Sequence, residues 1–358
     1  IAMTNVIQPR PFNLRKTLTV LAVLAVAFYF YYQRPPPIQL WKISGAAWSP
    51  YSIKLLERDF QTADVQDLKK EIDALLGAIN QQVSTYVPDS EISQFNRARQ
   101  TEPMIFSPRF AAMTAEALRY CRETGGAFNP TLDPLINAWG FGHQGPRKTP
   151  SDEEIQAALA LAGCDLVEAR DGSVMKRNPD VQLNLNAIAE GWAVDEVAAL
   201  LAGKGVTNYF VEIGGEVYAR GHSERMRPWR VGVDRPVDGA MPGEHVDLIV
   251  EVDGRGLATS GHYRNFVTDE TGRKIAHLLD PRTGQPATSS LASVTVLAPT
   301  CAEADALATA LFVMGVDDGR AWLHGRTNVF AAFIKHDGTG FRSSFSEGFE
   351  SFVVPPGP

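Results

Sequence analysis

The chain has 358 residues, of which 44% are hydrophobic and 21% charged, so it can bury one large core or two modest ones. Its formal net charge of −7 gives a nucleic-acid partner no electrostatic support and excludes that class of function. Cys121, Cys164 and Cys301 lack metal-ligand spacing and allow at most one disulfide. A core of this size does not need that bond, so we expect all three to be buried or half-buried small residues.

The first 34 residues are typical of an export signal or a membrane anchor. Arg10, Arg15 and Lys16 precede an uncharged apolar run from residue 18 to residue 32, which is the order found in signal segments. The run is shorter than a full membrane span of ~20 residues. An uncleaved anchor is the interpretation we favour over a cleaved signal or a buried helix. The basic flank predicts that the rest of the chain lies outside the cytoplasm.

The remainder is divided into a tether at 35–45, which begins with three prolines, and one folded domain at 46–350. Hydrophobic spacing and turn residues define the elements of that domain. Helices are predicted at 65–84, 108–125, 151–162 and 187–201, with a short helix capped by Ser90, and strands at 48–56, 181–186, 209–221 (a pair), 229–234, 246–252 and 293–298. Because strands and helices mix without strict βαβ alternation, the sequence predicts the α+β class.

A stretch rich in glycine, proline and aromatic residues runs from residue 125 to residue 142. Glycines beside aromatic side chains let a flat ligand approach the backbone closely. The alternative is a packed loop in which Trp139 and Phe141 belong to the core.

A second candidate region is the predicted helix at 304–311. Asp305 and Thr309 are four residues apart, so their side chains leave the same helix face. A carboxylate and a hydroxyl together suit a cation such as Mg²⁺. The alternative is that Asp305 caps the helix and Thr309 bonds to its own backbone.

A third candidate region is the polar loop at 277–286, which displays His277, Asp280 and Arg282 between two turn signals. An imidazole and a carboxylate so close together suit proton transfer. An ordinary surface turn is the alternative.

These regions, taken with two others, carry a resemblance to one family. The stretches are 129–135 (Asn-Pro-Thr-Leu-Asp-Pro-Leu) with 139–142 (Trp-Gly-Phe-Gly), 187–191 (Ala-Ile-Ala-Glu-Gly), 212–216 (Glu-Ile-Gly-Gly-Glu), 277–284 (His-Leu-Leu-Asp-Pro-Arg-Thr-Gly) and 304–309 (Ala-Asp-Ala-Leu-Ala-Thr). In this order, over about residues 46–345, the chain resembles the ApbE family of FAD:protein FMN transferases, or flavin transferases. Each stretch is a weak signal, and the five together are a specific one.

The resemblance implies an α+β domain of the T-fold-like kind with FAD as substrate and Mg²⁺ as cofactor. It implies transfer of FMN from FAD to a Thr or Ser hydroxyl of an acceptor protein, with release of AMP. It also implies a location on the periplasmic side of the bacterial inner membrane, where the acceptors are membrane-bound redox subunits. No stretch of this chain matches the acceptor pattern of the family, so we expect the acceptor to be another protein.

The resemblance also implies roles for individual residues. It implies that Asp305, Thr309 and the backbone carbonyl of Ala187 bind Mg²⁺. It also implies that FAD is contacted by eight residues: Trp48, Tyr86, Ala127, Phe128, Asn129, Asn184, Glu190 and Leu278. We expect His277 and Asp280 to orient or deprotonate the acceptor hydroxyl, although His277 could instead be structural. Arg282 could balance phosphate charge or pair with Asp280.

Three positions depart from the family pattern. Trp48-Ser49-Pro50 stands where Met-Gly-Thr is usual, Glu190 where Lys is common, and Asn184 where Asp is frequent. Two alternative functions therefore stay open: an FAD pyrophosphatase that yields FMN and AMP, and a non-catalytic flavin-binding maturation partner.

Overall fold

The computed structural model describes residues 19, 21–26, 28–29, 38–58, 60–143, 145, 149–237, 239–241, 243–261, 266–268, 274–276, 278–287, 291–338 and 340–355. Within these ranges, no helix combines the length and the apolar character needed to cross a membrane. Residues 18, 20, 27 and 30–32 of the apolar run predicted as an anchor lie outside the described residues, and the anchor stays a prediction.

The domain mixes helices with an antiparallel sheet. In chain order the strands are β1 Gln39–Ala46, β2 Pro50–Glu57, β3 Met104–Ile105, β4 Val167–Arg170, β5 Ser173–Lys176, β6 Tyr209–Ile213, β7 Glu216–Arg220, β8 Trp229–Asp234, β9 Val246–Val252, β10 Arg255–Gly261, β11 Phe266–Thr268, β12 Lys274–Ala276, β13 Leu291–Ala298, β14 Phe330–His336 and β15 Phe341–Phe345. The helices are α1 Thr62–Val83, α2 Glu91–Arg97, α3 Pro108–Glu123, α4 Asp133–Ala138, α5 Asp152–Leu159, α6 Asn186–Gly203 and α7 Cys301–Leu323. Short 3₁₀ turns follow at Cys164–Leu166 and Phe349–Phe352.

The main sheet has eight strands in the order β1-β2-β6-β7-β10-β13-β14-β15, with antiparallel neighbours throughout. Alternate residues of its strands enter two different cores, as the two-residue period of a strand requires. Val211 and Ala258 pack into the large core with α1, α6 and α7, while their neighbours Phe210 and Leu257 pack against the β8–β9 hairpin. The antiparallel sheet, with helices covering one face, agrees with the predicted α+β class.

Helices α6 and α7 lie side by side and carry the residues predicted to bind the cation. Asp195 of α6 caps α7, because its carboxylate accepts hydrogen bonds of 2.8 Å from the backbone N–H groups of Cys301 and Ala302. Burial raises the pKa of Asp195 to about 7. Gly191 makes the close contact possible, since a Cβ there would lie 2.4 Å from the carbonyl oxygen of Cys301.

Three predictions about local structure are corrected. The tether predicted at 35–45 is a strand from residue 39 onward, because β1 pairs with β2 along its whole length. The strand predicted at 181–186 is an unpaired extended segment that enters α6. Its backbone is bound by a side chain instead of a neighbouring strand: Asn96 donates to the carbonyl of Leu183 at 2.9 Å and accepts from the Leu183 N–H at 2.7 Å.

The third correction concerns the cysteines. Cys121 and Cys164 form a disulfide whose Cα atoms are 5.7 Å apart, although a core of this size was not expected to need one. Cys301 is a buried free thiol. The predicted burial is confirmed, because Cys121 and Cys301 are buried and Cys164 is half-buried.

Lys176 is a fully buried lysine that holds the same extended segment. Its ammonium group donates to the carbonyls of Phe95 at 2.9 Å and Val181 at 3.1 Å, and it lies 4.8 Å from the centre of the Phe95 ring. Burial lowers the pKa of Lys176 from its ordinary 10.5 to about 8. The lysine therefore links α2 to the chain that leads into the site.

Replacement of Lys176 by Met should lower the free energy of unfolding by about 2 kcal/mol. Two buried carbonyls would lose their donors at about 1–3 kcal/mol each, and relief from burying an ammonium would offset part of that loss. As the pH rises from 8 toward 10.5, the wild type should gain stability relative to the variant, because the folded state releases the proton first.

Urea unfolding curves of both proteins at neutral and alkaline pH measure the effect. Lys70→Met is the matched control. Lys70 is 77% exposed in its pair with Asp67, so its loss should stay within about 0.5 kcal/mol. Equal stability of the two variants would contradict the role given to Lys176.

Candidate active site

A cavity of about 800 Å³ opens beside α6 and α7, which is within the usual size range of cofactor sites. The cavity collects all the residues predicted to contact FAD or the cation. These are Trp48, Tyr86, Ala127, Phe128, Asn129, Asn184, Ala187, Glu190, Leu278, Asp305 and Thr309. Residues from position 48 to position 309 of the sequence therefore face one space, although their individual roles stay predictions.

One wall of the cavity is the loop at 124–131, called the pocket loop below. Gly125 and Gly126 have φ values of 60° and 86°, which L-residues with side chains rarely adopt. They turn the chain out of α3 so that residues 127–129 reach the cavity. The predicted close approach of backbone to ligand fits this turn.

The two aromatic residues that follow have different positions. Trp139 is buried with Leu135 and Leu279, and its indole N–H donates to the carbonyl of Gly284 at 2.8 Å. Phe141 is half-buried, packs against the same cluster and also lines the cavity. The alternative of a core role therefore holds for Trp139, which also fixes the loop that carries Leu278.

Oxygen atoms converge where α6 and α7 meet. Asp305 Oδ2 accepts from the Gly191 N–H at 3.1 Å, and Thr309 Oγ1 lies 3.2 Å from Ser260 Oγ. In a regular helix the Gly191 N–H points at the carbonyl of Ala187, four residues earlier. Ala187 departs from helical dihedrals with φ −82° and ψ 17°. The Asp305 carboxylate is thus bound to the backbone N–H group that, in a regular helix, points at the carbonyl of Ala187.

The deep end of the cavity carries an excess of acidic groups. Burial, followed by the charges of Asp305 and Glu190, raises the pKa of Glu216 well above its ordinary value. Burial is also the main cause that raises the pKa of Asp305 to about 8, against the Gly191 hydrogen bond, which lowers it. Glu216 Oε2 is buried and has no hydrogen-bond partner among the described residues.

These features fit a hard cation. An unpartnered buried oxygen and repelling carboxylates are both relieved by positive charge, and the available donors are oxygens. Among the described residues, no three His, Cys, Asp or Glu side chains form a metal cluster by themselves. A cation here would therefore rely on hydroxyl, backbone, water and substrate oxygens as well, which is the usual situation of Mg²⁺.

The Glu190 carboxylate is held in place by neighbouring groups of the protein. Ser49 Oγ donates a short hydrogen bond to Glu190 Oε1, and the Glu190 carboxylate is one of the groups that raise the pKa of Glu216, after burial and Asp305. Gly214, with φ 68°, leaves room for it, because a Cβ there would lie 2.4 Å from Glu190 Oε1. Glu190 thus ties the turn of Trp48 and Ser49 to α6.

Asp280 is placed differently from the other predicted residues. It is not among the described residues that line the cavity. Its carboxylate accepts from the Arg282 backbone N–H at 2.9 Å and from Arg282 Nη2 at 2.7 Å. The structure therefore shows the pairing of Arg282 with Asp280 that was one of two alternatives. His277 lies outside the described residues, and the catalytic roles of His277 and Asp280 stay predictions.

Three polar residues near the site were given no role from the sequence: Asp195, Glu216 and Ser260. Asp195 interrupts an apolar helical stretch, and a lone carboxylate on a buried helix face is a signal that a partner exists. Glu216 follows two glycines at the start of a buried strand. No comparable signal marks Ser260, whose hydroxyl meets Thr309 only through the packing of β10 on α7.

Comparison with known proteins places these features in a family. The model of the ApbE family matches residues 49–334. A FAD:protein FMN transferase of Vibrio cholerae is 38% identical over 319 residues, covering 88% of this chain and 94% of the relative. The enzyme of the same name from Haemophilus influenzae is 36% identical over 310 residues, covering 85% and 88%.

Two solved structures match the fold of this chain. The flavin transferase ApbE from Vibrio cholerae matches with a TM-score of 0.79 and 35% identity, over 88% of this chain and all of that one. The apo form of the flavinyl transferase ApbE from Pseudomonas stutzeri gives a TM-score of 0.79 and 35% identity, over 89% and 98%. The family model, the relatives and the folds all agree with the resemblance carried by the five stretches: this chain is a member of the ApbE family.

Proposed function

We propose that the protein transfers FMN from FAD to a Thr or Ser hydroxyl of an acceptor protein and releases AMP, with Mg²⁺ as cofactor. The observation that carries this proposal is the single cavity that gathers the predicted FAD and cation residues from separate stretches. The names of the relatives support the same reaction class.

In the proposed reaction the acceptor hydroxyl oxygen bonds to the FMN-side phosphorus of FAD. The bond from that phosphorus to the bridging oxygen breaks, and AMP leaves with the bridging oxygen. The hydroxyl proton passes to a base. Such a displacement depends mainly on positioning and on neutralising the charge of the pyrophosphate.

Each part of the site has a proposed task. Asp305, Thr309 and the Ala187 carbonyl would hold Mg²⁺, which neutralises charge on the pyrophosphate oxygens. Aromatic walls at Trp48 and Tyr86 would bind flat rings, since Tyr86 lines the cavity while 64% exposed. Proton removal from the acceptor is assigned to His277, for which an imidazole has a suitable pKa.

The proposed location is the periplasmic side of the inner membrane, with the N-terminal segment as signal or anchor. The Cys121–Cys164 disulfide supports it, because such bonds persist outside the reducing cytoplasm. A membrane-bound redox subunit with a periplasmic flavin domain is the proposed acceptor. The sequence motif of that acceptor would supply the Thr or Ser.

The test is an FMN-transfer assay with the full chain, FAD, Mg²⁺ and a protein that carries the family's acceptor pattern, with and without EDTA. Flavin fluorescence in denaturing gels measures the labelled acceptor, and chromatography measures AMP. We expect labelling and AMP together, both lost in EDTA. AMP with free FMN would instead establish the pyrophosphatase, and bound FAD without products would establish the non-catalytic partner.

A further inference from the structure

The disulfide joins two segments that flank the pocket loop. Cys121 lies in the last turns of α3, and Cys164 begins the 3₁₀ turn Cys164–Leu166, 43 positions later. Cys121 is fully buried, whereas Cys164 is half-buried. The bond therefore lies at the edge of the core.

On the Cys121 side, the pocket loop is hydrogen-bonded to the end of α3. The Gly126 N–H donates to the carbonyl of Cys121 at 2.8 Å. Thr124 Oγ1 donates to the carbonyl of Tyr120 at 2.8 Å and accepts from the Phe128 N–H at 3.1 Å. The backbone that presents Phe128 to the cavity is thus fixed to the turn that contains Cys121.

On the Cys164 side, a second chain of hydrogen bonds reaches the same loop. The N–H of Gly163, the neighbour of Cys164, donates to Thr131 Oγ1 at 2.8 Å. Thr131 Oγ1 in turn donates to Asn129 Oδ1 at 2.7 Å, and the Thr131 N–H donates to the same oxygen at 2.9 Å. The amide of Asn129, which lines the cavity, is thus oriented from the Cys164 side.

We propose that the Cys121–Cys164 disulfide is a positioning element for FAD: it fixes the two anchors of the pocket loop and so presents residues 127–129 in the shape that binds the flavin nucleotide. Glycines at positive φ give this loop many competing conformations once an anchor is released. A covalent link between the anchors removes those conformations before FAD arrives, and preorganisation of this kind strengthens binding. The inference rests on the proposed function, since it names FAD as the ligand.

The experiment compares FAD binding to the full chain, oxidised and reduced with a phosphine. Quenching of flavin fluorescence measures the dissociation constant, and the FMN-transfer assay measures KM and kcat. Reduction should raise the dissociation constant and KM for FAD about five- to tenfold, the order expected when a binding loop loses its fixed conformation. We expect kcat to change less than about twofold, because saturating FAD selects the productive loop.

Two variants separate positioning from general stabilisation. In the double variant Cys121→Ser/Cys164→Ser, FAD binding should be weak from the start and should not respond to the phosphine. Thr131→Val keeps the disulfide and the side-chain shape but breaks the link from Gly163 to Asn129. If the disulfide acts through that link, the losses of FAD affinity from Thr131→Val and from reduction should be less than additive.

The outcomes are distinct. Oxidised wild type that binds no FAD would overturn the proposed function and this inference with it. Oxidised wild type that binds FAD, and binds it equally well when reduced, would overturn the inference alone. Unfolding of the reduced protein at room temperature, followed by circular dichroism, would also overturn it, because the disulfide would then only stabilise the fold.

Discussion

Replacement of Asp305 by Ala should abolish FMN transfer, with a loss of about a thousandfold or more in kcat/KM. Asp305 is 7% exposed, lines the cavity and lies one helical turn from Thr309. It is the acidic group of the proposed Mg²⁺ set, and losing the ion's charge removes several kcal/mol of transition-state stabilisation. Labelled acceptor and AMP should disappear together at every Mg²⁺ concentration tested.

The Asp305 variants should remain folded, because a buried carboxylate with a raised pKa destabilises the protein when no cation is bound. Asp305→Asn removes the charge and can still accept from the Gly191 N–H, so we expect its melting temperature without Mg²⁺ to equal or exceed that of the wild type. Asp317→Ala changes an exposed carboxylate on the same helix and should stay fully active. Full activity of Asp305→Ala would overturn the metal assignment.

Periodic sequence patterns predicted the regular elements well where burial follows one face. Apolar spacing of three and four predicted the helix at 65–84, which forms as α1 Thr62–Val83, and the β8–β9 strands have the predicted bounds. The segment at 181–186 alternates equally well but pairs with no strand, since Asn96 and Lys176 bind its backbone. A two-residue period identifies extended chain and cannot say what satisfies its hydrogen bonds.

Strand β1 and the disulfide were missed for different physical reasons. β1 is an edge strand in which Ile43 is the only fully buried residue, so its sequence carries little alternation. The pairing of Cys121 with Cys164 depends on how α3 lies against the 3₁₀ turn, which sequence spacing does not reveal. Six of the eleven predicted cavity residues, including all those assigned to the cation, by contrast lie within motifs that are contiguous in sequence, and those motifs could be located without knowing how the chain folds.

The contact between α6 and α7 leads to the last prediction. Gly191→Ala should lower the free energy of unfolding by about 3 kcal/mol and reduce kcat/KM by about a hundredfold. By helix propensity alone the change should stabilise α6 by about 1 kcal/mol. The new Cβ, however, would lie 2.4 Å from the carbonyl oxygen of Cys301 and 2.8 Å from Asp305 Cβ. Overpacking of this kind commonly costs about 1–3 kcal/mol, and more where the obstacle is backbone.

The loss of activity should follow from the same displacement. α7 would have to move away from α6, and Asp305 would move with it relative to Ala187, whereas catalytic groups tolerate shifts of less than about 1 Å. The matched control is Gly77→Ala, an exposed position in α1 where a Cβ would meet nothing within 4 Å. It should be neutral or slightly stabilising and fully active. If melting curves and the transfer assay gave the two variants the same values, close packing of α6 on α7 would not be what sets the geometry of the site.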